Sequence, residues 1–394
     1  MPFGGRESRV EITLSDFISG RYYGGHQEDY LAQLQAALAG LNPTVVAPYR
    51  GGSEAAQPRG HALGRGSLRR FWLALRLYWG LMKPTVSAPQ IVAFHTPQFV
   101  EVSAYWLAAL LRRPKGRVVA LLVLRRDVAG IVGGDGVTGR IFAAMVRWLI
   151  REGMAHPASD SRFALDSWLA TTGTRGSLLT IPIRKPAQPD AKSPRPFAFG
   201  LMGLFRIEKG GRYYDRIIRR CREVYPDSTV TVQLVGSKKT EEARLAERLK
   251  ADWSGVRGVR IVDGHLPTDA YTEQLMALDV IVLPYDVESY GTGTSGLMFE
   301  AVALNKVVLA TPIVWARAEF GEHPNVVWLD GMDPDSLKRG LQEAVRRAHG
   351  TGSRASTPGS PDRFAAAWLA AIADSQQLLD PAGHQAPMVN DMGD

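Results

Sequence analysis

Cysteine is almost missing from this chain. Cys221 is the one thiol in 394 residues, so an internal disulfide and a cysteine-based zinc site are excluded. That usage fits a reducing, cytoplasmic compartment. Long apolar runs are missing as well. The opening stretch MPFGGRESRVEITL has no apolar segment of signal-peptide length, and no run approaches the roughly 20 apolar residues of a membrane span. Any membrane contact is therefore expected to be peripheral, at the inner face of the plasma membrane. Acidic residues are scarce in one half only. Residues 1–185 carry 23 basic and 12 acidic groups, a net +11, whereas the remainder carries 24 and 27, a net −3. The first half should attract something anionic. Nucleic acid is the poorer explanation, because zinc-finger spacing, an aromatic RNA-binding signature and a recognition helix are all lacking.

What is present is an ordinary globular balance, 45% apolar and 22% charged, in a length that suits two or three domains. Short β-rich runs alternate with helical patterns, which predicts βαβ units and parallel sheets. In the first half the strands are expected at Val10–Leu14, Thr44–Pro48, Gln90–Phe94, Arg117–Leu124 and Leu178–Ile183. The proline-rich IPIRKPAQPDAKSPRP then reads as a linker. Six further strand patterns follow between Phe197 and Leu329. The expected organisation is an N-terminal Rossmann-like domain over 1–185, a linker over 186–196, and a second such domain over 197–348. A breaker-rich linker over 349–362, a terminal helix over 363–378 and a mobile tail over 379–394 complete it. Tandem α/β domains would place a ligand in a cleft between them.

Two segments carry the chemistry. YGTGTSGLMFEA (Tyr290 to Ala301) follows the strand pattern VIVLPYD. Its glycines 291, 293 and 296 permit a tight turn and close approach, and Thr292, Thr294 and Ser295 offer hydroxyls that cap the next helix. Such a helix start suits a phosphate or diphosphate, and equally it is a well-capped helix after a glycine turn. Glu300, on the apolar stretch that follows, needs a partner, and two ribose hydroxyls would suit it. GLFRIEKG (Gly203 to Gly210) also joins a strand to a helix. Arg206 and Lys209, three apart, would neutralise a diphosphate; the other reading is a solvated charged turn. Asp333-Pro334-Asp335 reads as a helix cap rather than a metal site.

Taken as an ordered set, GLFRIEKG, GHLPTDAYTEQLMALDVIVLPY and GTSGLMFEAVALNKVVLATP resemble the C-terminal half of retaining GT-B glycosyltransferases, close to glycosyltransferase family 4. The resemblance implies two Rossmann-like domains facing each other across a cleft and a nucleotide-sugar donor. It implies that Arg206 and Lys209 bind the donor diphosphate, that Tyr290, Gly293, Thr294, Ser295 and Gly296 flank it, and that Glu300 holds the ribose. Transfer would need neither metal nor other cofactor, the acceptor proton passing to a donor phosphate oxygen. One departure stands out: the family often carries a second glutamate eight positions before the first, and Thr292 occupies that place, with Glu288 nearby but out of register.

In the N-terminal half His95 ends the strand QIVAFHTP, where such enzymes commonly carry a histidine near the transferred sugar. A structural histidine is the other reading. The segment LSDFISGRYYGGHQEDY resembles the glycine-bearing first loop of this fold, with Gly24 and Gly25 near the donor and Arg21 or His26 on the acceptor; Asp16 and Asp127 are further polar candidates. LRRFWLALRLYWGLMKP interleaves cations with aromatics, as a membrane-interface helix or as a helix packed on the sheet. The expected function is hexosyl transfer to a saccharide or polyprenyl-diphosphate-linked acceptor in exopolysaccharide or cell-surface glycan assembly. The alternatives are a sugar-nucleotide epimerase of the same architecture and a catalytically weak scaffold.

Overall fold

The computed structural model describes residues 10–15, 26–46, 65–83, 88–114, 116–134, 136–182, 195–235, 240–291, 293–350 and 361–379. Two compact units emerge, the second running from Thr180 to Arg363. In chain order the first unit holds β1 (Glu11–Ser15), α1 (His26–Ala37, from Tyr30 onward), β2 (Thr44–Val46), α2 (Arg65–Leu81), β3 (Gln90–Phe94) and α3 (Phe99–Arg112). It continues with β4 (Val118–Val123), α4 (Val128–Gly134), α5 (Gly136–Arg151), β5 (Ala155–Ser159), α6 (Arg162–Thr172) and β6 (Ser177–Leu178). The strands form one parallel sheet in the order β2-β1-β3-β4-β5-β6. Helices on both faces bury β3 and β4 along their whole length, which is why those strands read as unbroken apolar runs rather than alternating ones.

The second unit holds β7 (Ala198–Leu201), α7 (Tyr214–Val224), β8 (Thr229–Leu234), α8 (Thr240–Trp253), β9 (Val259–Asp263), α9 (Thr268–Met276) and β10 (Val280–Leu283). Then come α10 (Val287–Tyr290), α11 (Gly296–Ala303), β11 (Val307–Ala310), α12 (Val314–Phe320), β12 (Val326–Trp328) and α13 (Pro334–Gly350). Its sheet is also parallel, in the order β9-β8-β7-β10-β11-β12, the doubly wound arrangement of a dinucleotide-binding domain. Asp333 accepts from the amides of Asp335 and Ser336 at 3.1 and 3.0 Å and caps α13.

The last helix, α14 (Pro361–Gln377), belongs to the first unit from Phe364 on, rather than standing apart as a terminal segment. Its apolar face explains this: Phe364, Trp368, Ala371 and Ile372 are buried with Tyr30, Leu31 and Leu34 of α1 and with Ile12 and Leu14 of β1. Leu379, placed in the tail by the sequence pattern, is buried in the same cluster. Ser177 of β6 donates to Asp374 of α14 at 2.7 Å and ties the helix to the sheet edge.

Candidate functional site

In the second sheet β7 and β10 are neighbours, and chain connectivity reverses direction between them. At such a switch point the loops leaving the two strands diverge and open a crevice beyond the strand ends. The two segments singled out in the sequence are the loops that leave β7 and β10.

The loop after β7 is held from several sides. Gly203, at φ +96°, donates its amide to Gln233 Oε1 on β8 at 2.9 Å, and Phe205 is fully buried. The amides of Lys209 and Gly211 both donate to the Arg206 carbonyl, at 3.1 and 3.0 Å, which closes a tight turn. The Ile207 amide donates to Glu242 Oε1 of α8 at 3.1 Å. The Asp286 amide donates to the Glu208 carbonyl at 3.0 Å and joins this loop to the one after β10. Gly210 has φ +81°, and any Cβ there would collide with Pro284. With Phe205 turned inward, Arg206, Glu208 and Lys209 are half-buried at the rim. Arg206 Nη1 lies 3.0 Å from Glu208 Oε1. Burial pushes the Lys209 ammonium down to about 8, Arg206 adding to the effect while Glu208 and Glu300 oppose it.

The loop after β10 begins at Pro284. Tyr285 is buried, its ring stacked on Tyr290 with centroids 4.3 Å apart and its hydroxyl 2.6 Å from Ser295 Oγ. Tyr290 donates its hydroxyl to the Thr294 carbonyl at 2.8 Å. Asp286 caps the short α10 by accepting from Ser289 N at 2.9 Å, and Gly291 turns the chain at φ +56°. Ser295 caps α11, accepting from the Met298 amide at 3.3 Å. Gly296 is exposed at the first turn of α11, where helical amides lack intrahelical partners and the dipole favours an anion. Glu300, half-buried one turn on, lies where its charge acts on Lys209, on Tyr271 of α9 and on Tyr285. Burial raises both tyrosines, Tyr285 to about 12, and Glu300 pushes in the same direction.

Arg206, Lys209, Tyr290, Gly293, Thr294, Ser295, Gly296 and Glu300 therefore all lie on the two switch-point loops and on α11. Two cations, a helix start and a carboxylate are thus gathered at one switch point. Sequence reasoning missed Glu242 and Gln233, which hold the cationic loop from α8 and β8. A buried glutamate in the first turn of a charged amphipathic helix leaves no pattern of its own. Arg21, Gly24, Gly25, Thr292 and Asp16 lie outside the described residues, and His26 is the first residue of α1.

His95 follows β3 in the first unit. It is buried, at 1% exposure, with its ring stacked on Tyr30 at 5.8 Å. The Arg125 guanidinium sits 4.9 Å from the centre of the same tyrosine ring, and Arg125 Nε is 2.8 Å from Asp160 Oδ2. Trp368 Nε1 donates to the Tyr30 hydroxyl at 3.3 Å. Burial pushes that phenol up to about 12 despite the neighbouring Arg125. Arg125 and Asp160 were also missed, although each stands just beyond a buried strand, where a charged residue at the carboxyl end of a parallel sheet carries information. Asp127 accepts from Gly130 N at 3.0 Å and caps α4. Among the described residues no three of His, Cys, Asp and Glu gather as a metal site.

No protein-family model matches the chain, and no curated protein matches it in sequence. Solved structures do match. A candidate UDP-N-acetylglucosamine 2-epimerase of Listeria monocytogenes aligns over 95% of this chain and 98% of its own at 14% identity and a TM-score of 0.61. Anabaena HepE, in complex with UDP and glucose, aligns over 95% and 99% at 13% identity and 0.58. A glycosyltransferase from Rickettsia africae aligns over 95% and 96% at 12% identity and 0.51. At these identities the likeness is one of fold, and the fold of this chain is that of the two-unit α/β GT-B enzymes.

Proposed function

We propose that the protein is a glycosyltransferase that takes a sugar from a nucleoside-diphosphate donor. The observation that carries this reading is the pairing of Arg206 and Lys209 after β7 with the start of α11 after β10, and Glu300 beside them. Arg206, Lys209 and the first-turn amides of α11 hold the diphosphate, and Glu300 accepts from the ribose hydroxyls. As the bond from the anomeric carbon to the phosphate oxygen breaks, negative charge grows on the leaving diphosphate. Preorganised cations and amides stabilise that charge more than they stabilise the bound donor. The acceptor oxygen forms its bond on the face the diphosphate leaves, and its proton passes to a phosphate oxygen, so configuration is retained and no metal is required. The acceptor is a saccharide, free or carried on polyprenyl diphosphate, in exopolysaccharide or surface-glycan assembly at the cytoplasmic side of the membrane.

A thermal-shift panel of nucleotide sugars tests the donor, since a ligand bound only by the folded state raises the melting temperature. Nucleoside diphosphate released in the presence of an acceptor supports transfer, whereas nucleotide binding with no turnover on any donor favours a scaffold. The fold shared with the Listeria protein favours one second reading, a sugar-nucleotide epimerase. Conversion of UDP-N-acetylglucosamine to its 2-epimer without any acceptor would select it.

A further inference from the structure

We propose that α2 docks the first unit on an anionic lipid bilayer. Leu68, Trp72, Leu75 and Trp79 stand at i, i+4, i+7 and i+11 and share one stripe of the helix. Leu68 and Trp72 are 61% and 60% exposed. Arg69 and Arg76, seven apart, run beside that stripe, and Lys83 extends the row just past the helix end; all three are exposed. The packing face lies about a quarter turn round the helix. Ala74, Tyr78 and Met82 are buried in the core shared with α3, and the Tyr78 hydroxyl lies 2.8 Å from Ser15 Oγ. Leu75 and Trp79 are half-buried against the edge of that core, whereas Leu68 and Trp72 extend beyond it, and nothing in the packing requires those two to be apolar.

Charge selects the occupant. From Arg65 to Arg117 the sequence has nine basic residues and one acidic one. That one, Glu101, is buried at 2% exposure with Arg70 3.8 Å away, so it does not offset the cations at the surface. The Arg112 guanidinium of α3 lies 4.1 Å from the centre of the Trp79 ring and carries the basic fringe to the other side of the tryptophan stripe. Indole rings and leucines flanked by cations match the boundary between acyl chains and anionic headgroups, where tryptophan inserts and each lysine or arginine gains from the surface potential. Nucleic acid would use the cations and leave Leu68 and Trp72 against water. Among the described residues no helix is long and apolar enough to cross a membrane, so docking would be by this surface. The surface lies within the first unit and stands independently of the donor-site assignment.

Flotation of the full chain with vesicles of phosphatidylglycerol and phosphatidylcholine, against phosphatidylcholine alone, tests the proposal. The expected result is capture by the anionic vesicles, weakened by salt. Arg69→Glu with Arg76→Glu should lower partitioning by at least ~10-fold, and Trp72→Ser should lower it on both vesicle types. Both substitutions are at exposed positions, and an unchanged melting temperature verifies that the variants fold. Equal recovery in the soluble fraction with and without anionic lipid overturns the proposal, as does flotation insensitive to the paired charge reversal. Concentration-dependent self-association abolished by Trp72→Ser, without flotation, assigns the stripe to a second copy of the chain and also overturns it. Because nucleotide affinity is measured separately by calorimetry, failure here leaves the donor reading standing, and failure of the donor reading leaves the flotation result standing.

Discussion

A Cβ on Gly210 would lie 1.8 Å from the carbonyl oxygen of Pro284, so the loop carrying Arg206 and Lys209 is pressed directly onto the end of β10. The contact makes one unit of two loops 70 or more residues apart in sequence. Gly210→Ala adds a methyl where backbone stands and also forces a side chain to φ +81°. The expected cost is about 2 to 5 kcal/mol of stability, with loss of nucleoside-diphosphate binding as the cationic turn lifts away from Pro284. Denaturant unfolding and calorimetry measure the two effects. A variant that binds nucleoside diphosphate and unfolds like the parent would show that the two loops act separately.

Arg206 and Lys209 should respond differently. The Arg206–Glu208 pair is half-buried, its side chains still 44% and 34% accessible to solvent, and such solvated pairs contribute little to stability. Arg206→Ala is therefore expected to leave the melting temperature nearly unchanged while weakening diphosphate binding by roughly 10- to 100-fold. Equal affinity in the variant would remove the arginine from the donor site.

Lys209 predicts a pH dependence. Its ammonium is held down to about 8 in the free protein, and a bound diphosphate would raise it again by supplying the missing counter-charge. Affinity should be full below pH 8 and decline as pH rises through it, and binding at pH 8.5 should take up a proton. Calorimetry in buffers of different ionisation enthalpy reads that uptake directly, and heats that do not depend on buffer would refute it. The same shift has a stability consequence: between about pH 8 and 10.5 the unfolded chain binds the proton more tightly, so the folded state gains stability as pH rises across that window.

Much of this was legible before any coordinates. Runs such as VIVLP and VVALLV report strands buried on both faces, because no side of them can be polar. β3 falls at the expected position. β5 was missed because its sequence, AHPAS, has no β-branched residue and includes a proline, so only its place between β4 and β6 makes it a strand. β6 shrank to two residues against the expected Leu178–Ile183. The candidate site was legible where its chemistry is local: glycine with cations in one loop, and glycine with hydroxyls in the other, stand out in the sequence. Side chains that act from a distance in sequence, such as Glu242 on the β7 loop and Arg125 over Tyr30, depend on the fold to bring them there.

Glu242 offers a way to separate positioning from packing. It is 3% exposed, and its Oε1 accepts from the amide of Ile207, which lies between Arg206 and Lys209. Glu242→Gln keeps an acceptor at that place, whereas Glu242→Ala leaves the Ile207 amide without it. The alanine variant should weaken donor binding by about 10-fold, from the loss of one hydrogen bond to a charged acceptor, and glutamine should restore most of it. If alanine and glutamine weaken binding equally, the carboxylate's charge rather than its acceptor oxygen is what matters.

Trp368 closes the first unit from the far end of the chain. Its ring is fully buried, its indole nitrogen donates to Tyr30, and Tyr30 in turn carries the stacked ring of His95 and the guanidinium of Arg125. Trp368→Ala opens a large cavity in this cluster and removes the donor to a buried phenol, so a loss of about 3 to 5 kcal/mol is expected. Trp368→Phe refills most of the volume without the N–H and should recover more than half of that loss. The effect belongs to the first unit, so any nucleoside-diphosphate affinity of the β7–β10 loops should persist in both variants. Denaturant unfolding with calorimetric titration of nucleoside diphosphates distinguishes the outcomes. A loss below ~1 kcal/mol in the alanine variant would mean that α14 covers the sheet without being held by this ring.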